Sequence, residues 1–394
     1  MTYHILYEST SWHTRCALFD DHARLLTLRY DEATRRHIEG ALVYGRVRQV
    51  VPSLGAAFVD IGDHNDAILP FNTLPDGADG NKIRLTEGQG IVARITRGGF
   101  YEKGATLDAR TAIKPPSSET PCPSIINPPP SALTRALHDA GSNPVTVWIL
   151  NGAHRDAVTH HVPERQVRQL DLDGSFDGMA SFTELLDGHL DAMGSARPTF
   201  PFKGKGVEGN LIIELTSAVA TIDVNASAAS HMQKSDATMA VNLRAAEEVG
   251  RLCRLLDLGG SVIVDFITPK SKNHRGIIAE HLSATFNVTD DRFVELRPMS
   301  RHGLLELTRE RSGPSLTLLL KTPDYIAGRI GLELWRTPAG ANPSLRRQTI
   351  TAHPDVTYIL QKYLTQATCL AQLGRTITLE SDGALPVNTY RISG

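Results

Sequence analysis

Seven prolines crowd into the seventeen residues KPPSSETPCPSIINPPP, 114–130. Proline fixes φ, lacks an amide donor and clashes with the preceding helical turn, so no helix or central strand runs through such a segment. The stretch reads as a linker and a domain boundary. A chain of 394 residues also exceeds one typical core and predicts roughly two to four domains or subdomains.

Runs on either side of the linker show what the domains are made of. YHILYES, TRCALFD and RLLTLRY, within residues 3–30, alternate apolar and polar and predict a meander of two or three strands. ALVYGRVRQVV, GAAFVDIG, DAILP, GIVARITR and GATLDAR follow, broken by glycines and turn residues. Five short strands in roughly 70 residues suit an OB-type barrel. Beyond the linker, ALTRALHDAG and SFTELLDGHLDAM predict helices and VTVWIL a buried strand. From 209 onward, strands GNLIIEL, VATIDVN, SVIVDFI and RFVELRP alternate with helices VNLRAAEEVGRLCRLLDLGG and HRGIIAEHLSATF, which implies an α/β core. Helical spacing in the first of these helices comes from Val249, Leu252, Cys253 and Leu256. A smaller region after 320 carries helix-like DVTYILQKYLTQATCLAQLG and strand-like TITLES.

Composition removes several classes of function. A net charge of −2 leaves no global field to draw a polyanion, so any such site must be a local basic cluster. Cys16, Cys122, Cys253 and Cys369 form no C-x-x-C pair, which argues against a zinc knuckle and fits a reducing compartment. MTYHILYEST lacks the basic and apolar regions of a signal peptide, and no run approaches the ~20 apolar residues of a membrane span. A cytoplasmic protein is expected. FKGKGVEG, 202–209, lacks the residue order of a P-loop and predicts a hairpin turn.

Chemistry concentrates in ATIDVNAS. Asp223 and Asn225 are two apart, so on a strand both leave one face, and burying them unpaired costs several kcal/mol. Asp265, in SVIVDFI, lies one helix later. If the two strands are neighbours, the carboxylates repel each other, and a Mg²⁺ between them removes that repulsion. Such an ion suits phosphodiester hydrolysis, with Asn225 holding a phosphate oxygen or the attacking water. Alternatively both acids cap turns or pair with arginines. Phe58 lies mid-strand in GAAFVDIG, where it either stacks a base or fills the barrel core. Arg97 and Lys103 are nearby cations. In SRHGLLELTRERSGPSL, Arg301, Arg309 and Arg311 form the densest cationic stretch near the acids, and arginines two apart on an extended segment share a face.

Taken together these strings resemble the ribonuclease E/G family. VYGRVRQVVPSLGAAFVDIGDHNDAILP resembles the opening of its S1-type domain, and IIELTSAVATIDVNAS its catalytic strand, usually ending I-D-V-N-S. AVNLRAAEEVGRLCRLLDLGGSVIVDFI resembles the helix and second catalytic strand that follow, and SRHGLLELTRERSGPSL its S-R-x-G-L-L-E-x-[ST]-R-x-R signature. The matches cover roughly 3–110 and 209–316, in order.

The resemblance implies an α/β (α+β) multi-subdomain architecture. An RNase H-like subdomain (1–36 and 151–208) would be interrupted by an S1-type OB-fold barrel (37–112) and a linker with a reduced sensor region (113–150). A DNase I-like catalytic subdomain (209–320) and a small C-terminal domain (321–394) would follow. It implies a single-strand-specific endoribonuclease of RNA decay or rRNA processing. Asp223 and Asp265 would hold Mg²⁺, Asn225 would orient the scissile phosphate, and Phe58 and Lys103 would contact single-stranded RNA. Departures from the family pattern qualify this. Ile68 replaces a second aromatic, Thr268 replaces the last acid of D-F-I-D, and PSL runs into TLLLKTPDY without the C-P-x-C zinc link. Zinc is not expected, so any homo-oligomer would form without it. The shortened region 111–200, with WILNGAHRDAV where an arginine–threonine sensor pair belongs, predicts cleavage independent of the 5′-end phosphate. The alternative is an RNA-binding, ribosome-associated protein of this fold with little or no nuclease activity.

Overall fold

Alternation in the first thirty residues produces an antiparallel meander: β1 (Tyr3–Ser9), β2 (His13–Phe19) and β3 (Leu25–Glu32), with Leu6 opposite Ala17 and Cys16 opposite Arg29. In the computed structural model the described residues are 2–33, 39–76, 83–99, 103–111, 119–150, 152–170, 182–195, 197–204, 206–216, 218–229, 234–289, 292–311, 313–336, 347–364 and 373–394. The sequence expectations for 112–118, for Cys369 and for a helix across 365–372 lie outside them. The chain divides into two units, residues 33–131 with 311–314 and all the remainder.

The first of these units is a barrel. Its strands are β4 (Leu42–Val51), β5 (Ala56–Asp60), β6 (Ala67–Pro70), β7 (Gly90–Arg97) and β8 (Thr106–Asp108). They pair in the ring β4–β5–β6–β8–β7–β4, which closes on itself. Alternate residues point inward, so Val43, Val47, Val59, Leu69, Ile95 and Leu107 form a core that is almost fully buried. Gly104 lets the chain pass close to β6, since a Cβ there would sit 1.8 Å from the Asp66 carbonyl oxygen. The expected linker is shorter than its sequence suggests. Ser124–Asn127 form β9, which pairs with β4 outside the ring. An edge position tolerates flanking prolines because one side of the strand needs no ladder bonds.

The other unit resumes with α1 (Ala132–Ala140), β10 (Val145–Ile149), α2 (Arg155–Thr159), β11 (Val167–Gln169) and α3 (Phe182–Gly194). β10 runs parallel to β1, giving the mixed order β11–β10–β1–β2–β3. The barrel segment is therefore inserted between two parts of one sheet, and that sheet already begins again by residue 145, inside the span read as linker. α1 buries Ala132, Leu133, Ala136 and Ala140 against Ile5, Cys16, Leu18 and Val147.

A second sheet follows. Its elements are β12 (Thr199–Gly204), β13 (Val207–Leu215), β14 (Val219–Ala229), α4 (Lys234–Leu255), β15 (Gly260–Asp265), α5 (Lys272–Thr289), β16 (Val294–Leu296) and β17 (Leu304–Arg309). The order is β12–β13–β14–β15–β17–β16, and only β14 and β15 are parallel, joined through α4. Ile222, Val224, Val262, Val264, Leu305 and Leu307 are buried, whereas the residues alternating with them are not. α4 packs on β13 and β14 through a stripe that includes Val241, Ala245, Val249 and Leu252, leaving the opposite face of the sheet open. The chain ends with α6 (Leu316–Leu319), α7 (Pro323–Arg336), β18 (Arg347–Ala352), α8 (Pro354–Leu364), β19 (Thr376–Ser381) and β20 (Tyr390–Ser393), the last three strands ordered β19–β18–β20. No described helix is long and apolar enough to cross a membrane.

Candidate active site

The open face of the second sheet carries one cross-strand row: Ile212 on β13, Asp223 on β14, Asp265 on β15 and Leu304 on β17, each the register partner of the next. Side chains in register share a face, and neighbouring strands lie about 4.8 Å apart. The row therefore sets two carboxylates side by side between two apolar residues. Asp223 is half-buried, Asp265 is exposed, and Leu304 keeps 45% of its surface in solvent. Asn225, two residues along β14, donates from Nδ2 to Asp223 Oδ2 at 2.9 Å and so fixes the orientation of that carboxylate. Neither acid forms an ion pair among the described residues, which removes the reading in which both are neutralised by arginines.

Asp265 is the last residue of its strand, and the chain beyond it is held on two sides. Asn242 is fully buried on α4, where its amide brackets Ile267: Nδ2 donates to the Ile267 carbonyl at 2.7 Å and Oδ1 accepts from the Ile267 N–H at 3.1 Å. The Phe266 N–H donates to the Gly303 carbonyl, and Thr268 Oγ1 donates to the His302 carbonyl at 3.0 Å. Gly303 has φ +101°, and a Cβ there would lie 2.3 Å from the Phe266 oxygen, so only glycine fits this approach. Thr268, which stands where the resemblance led to an acid, thus ties two loops together. Sequence reasoning missed Asn242, although its spacing to Ala245, Ala246 and Val249 puts it on the buried stripe of α4.

The three arginines of the SRHGLLELTRERSGPSL stretch do not act together. Arg309 falls on the buried side of β17, 3% exposed, with Nη1 donating to Asp257 Oδ1 at 2.8 Å and to the Leu258 carbonyl. The alternation of β17 turns it inward, so its guanidinium is unavailable to a phosphate. Arg301 is exposed in the turn before β17. Arg311 is exposed and belongs with the barrel unit.

On the barrel, Gln49, Phe58, Ile68, Thr106 and Arg97 are successive register partners across five strands. Phe58 is half-buried and outside the barrel core, so its ring lies along the outer surface beside Ile68, three register partners from Arg97. Lys103 is exposed just before β8.

Two carboxylates in register, one oriented by an amide and neither neutralised, form an all-oxygen donor set that fits Mg²⁺, which binds through one or two carboxylates and keeps water. Among the described residues there is no group of three or more His, Cys, Asp or Glu side chains placed to hold a metal ion, so Asp223 and Asp265 would serve as a pair.

Residues 204–312, which contain this pair and every strand from β13 to β17, match the model of the ribonuclease E/G family. This segment is similar to the ribonuclease E/G family. It is 36% identical over 118 residues to a ribonuclease E/G-like chloroplastic protein of Arabidopsis thaliana, covering 29% of this chain and 12% of that protein. It is 25% identical over 391 residues to ribonuclease E of Escherichia coli, covering 77% of this chain and 36% of the enzyme. Against ribonuclease G of Salmonella typhimurium, 23% identity extends over 81% of this chain and 82% of that protein. The chain thus spans about a third or less of the first two relatives. The ribonuclease E/G match is centred on the sheet that carries both acids, not on the barrel.

Proposed function

We propose that this protein is a Mg²⁺-dependent endoribonuclease that hydrolyses phosphodiesters in single-stranded RNA, serving RNA decay or rRNA processing. The observation that carries the proposal is the register pairing of Asp223 with Asp265 on an open sheet face, with neither carboxylate in an ion pair among the described residues. Asp223 and Asp265 would hold the ion, which when bound acidifies water and offsets charge on the phosphate. Asn225 keeps Asp223 in place and offers its amide towards the same face, where a phosphate oxygen or the attacking water can be held. Asn242 is a positioning residue that fixes the backbone two positions after Asp265. The barrel row of Phe58, Ile68 and Arg97, with Lys103, would stack a base and meet phosphates; one aromatic instead of two supplies less stacking. In this reading the first sheet is the RNase H-like subdomain and the second the DNase I-like one.

Incubating a fluorescent AU-rich single-stranded RNA with Mg²⁺ tests the proposal. Wild type should cut it, and Asp223→Asn and Asp265→Asn should not. Equal cleavage by all three proteins would refute the mechanism. Substrates with 5′-monophosphate and 5′-hydroxyl ends should be cut at similar rates, and a strong phosphate preference would contradict the proposed independence from the 5′ end.

A further inference from the structure

Four cations gather at the carboxyl end of β15, beside Asp265. Lys270 lies in the loop that leaves the strand, Lys272 and Arg275 are three apart at the start of α5, and Arg301 lies in the turn before β17. The hydrogen bonds from Phe266 to Gly303 and from Thr268 to His302 hold that loop and that turn together. Arg301 Nε donates to His302 Nε2 at 3.0 Å, which directs the arginine along the turn. Lys270, Lys272 and Arg301 are exposed and Arg275 is half-buried.

None of the four forms an ion pair among the described residues. Elsewhere in the same unit arginines are held by carboxylates: Arg29 by Asp139, Arg244 and Arg251 by Glu248, Arg309 by Asp257. Other charges of the open face also distinguish this end. Glu306, next to Ile263, lies towards the opposite end of the strands, whereas Glu214, next to Thr221, is paired with Arg197 at 3.1 Å. A polyanion crossing the acid pair is therefore repelled by Glu306 and drawn to the Lys270–Arg301 end.

We infer that Lys270, Lys272, Arg275 and Arg301 form one phosphate-binding rim that holds the RNA backbone on one side of the scissile phosphate. The inference rests on the ribonuclease reading for its ligand, single-stranded RNA. The rim positions the strand and takes no part in bond breaking. It explains how a chain with net charge −2 keeps a polyanion against two carboxylates.

The test compares wild type with the triple variant Lys270→Gln, Lys272→Gln, Arg301→Gln, all at exposed positions. Binding of a short labelled single-stranded RNA is measured by fluorescence anisotropy in EDTA across a salt series. Removing one cation from a phosphate should reduce the slope of log K against log salt by about 0.7, so the variant's slope should be shallower by about 2. With Mg²⁺, KM should rise roughly tenfold while kcat stays within about twofold, the pattern of binding weakened equally in ground state and transition state. The arginine variant Lys270→Arg, Lys272→Arg should retain the wild-type slope. An unchanged slope in a folded glutamine variant overturns the rim, as does wild-type binding without salt dependence. If wild type cuts RNA and only the slope prediction fails, the rim is wrong and the nuclease reading stands. If the slope changes but wild type cuts nothing, the nuclease reading is wrong and the rim stands.

Discussion

Two groups of charged residues in this unit are built on opposite terms. At the first sheet, Arg15 and Glu8 are almost completely buried, and Arg15 bonds Glu8 and, at 3.1 Å, Asp187. Arg336 on α7 closes the ring, donating to Glu8 at 2.7 Å and to Asp187 at 2.5 Å. Two guanidinium groups meet two carboxylates, and the sum is zero. At the second sheet, Asp223 and Asp265 stand in adjacent register on an open face, and no described side chain forms an ion pair with either. Charges that join β1, β2, α3 and α7 are balanced and centred on the buried Glu8 and Arg15; charges left unbalanced lie where an ion and a phosphate can reach them. Burial of an unpaired charge is too costly to survive inside, so a pair of uncompensated carboxylates persists only at such a surface.

Exchanging the chemistry at the two places should separate activity from stability. Asp265→Asn should lower cleavage in Mg²⁺ at least a thousandfold, about 4 kcal/mol in the barrier, while leaving the urea midpoint near that of wild type. Glu8→Gln should do the reverse. It leaves the buried Arg15 and the half-buried Arg336 sharing Asp187 and should cost about 3 kcal/mol by urea denaturation. A destabilised Asp265→Asn or an unaffected Glu8→Gln would dissolve the distinction. Between these extremes lies Asn242→Ala, which strips both backbone groups of Ile267 of their partners and should cost about 2–3 kcal/mol. Its cleavage rate should also fall, because the segment after Asp265 is no longer held.

The balanced and unbalanced groups were unequally legible in the sequence. The five barrel strands, α4, α5 and the strands bearing Asp223 and Asp265 follow from periodicity, because each presents one buried face to a single layer. Register was not legible: nothing local says that Asp223 faces Asp265 and not a residue two positions away, since pairing is fixed by the whole α4 crossover. Arg309 shows the same limit in reverse, since its apolar neighbours Leu305 and Leu307 already marked the buried side of β17. The Arg15–Glu8–Asp187–Arg336 ring could not be read at all, as its members are up to 328 residues apart. β9 was hidden by the prolines around it, which forbid a central strand but permit an edge one.

The buried side also has a pH signature. Burial, reinforced by the Arg15 cation, holds the His13 imidazole down at about 3, against 6.5 for the free side chain. Between those values the unfolded chain takes up a proton that the folded chain refuses, so stability falls as pH falls below 6.5. From pH 7 to pH 5 the loss should be about 2 kcal/mol. His13→Phe should flatten that dependence by one proton, and superimposable pH profiles for the two proteins would refute the assignment. Asp187 acts at lower pH: burial raises its carboxyl, but Arg15 and Arg336 outweigh burial and leave it lowered. Its contribution is complete above the unfolded carboxylate value of about 4 and is lost as pH falls through the lower folded value.

The smallest effect is the most telling for the open face. Like charges directly opposite on neighbouring strands destabilise a sheet by up to about 1 kcal/mol. Without divalent metal, Asp223→Asn should therefore leave stability unchanged or raise it by about 0.5 kcal/mol, whereas the buried carboxylate Glu8 tolerates no such change. Adding Mg²⁺ should reverse the order. An ion that binds only the folded wild type raises its melting temperature with concentration, and the variant, lacking one ligand, should respond much less. Melting curves of both proteins with and without Mg²⁺ make this measurable without any RNA. A wild type whose melting temperature ignores Mg²⁺ would mean that the repulsion between Asp223 and Asp265 is relieved by something other than a metal.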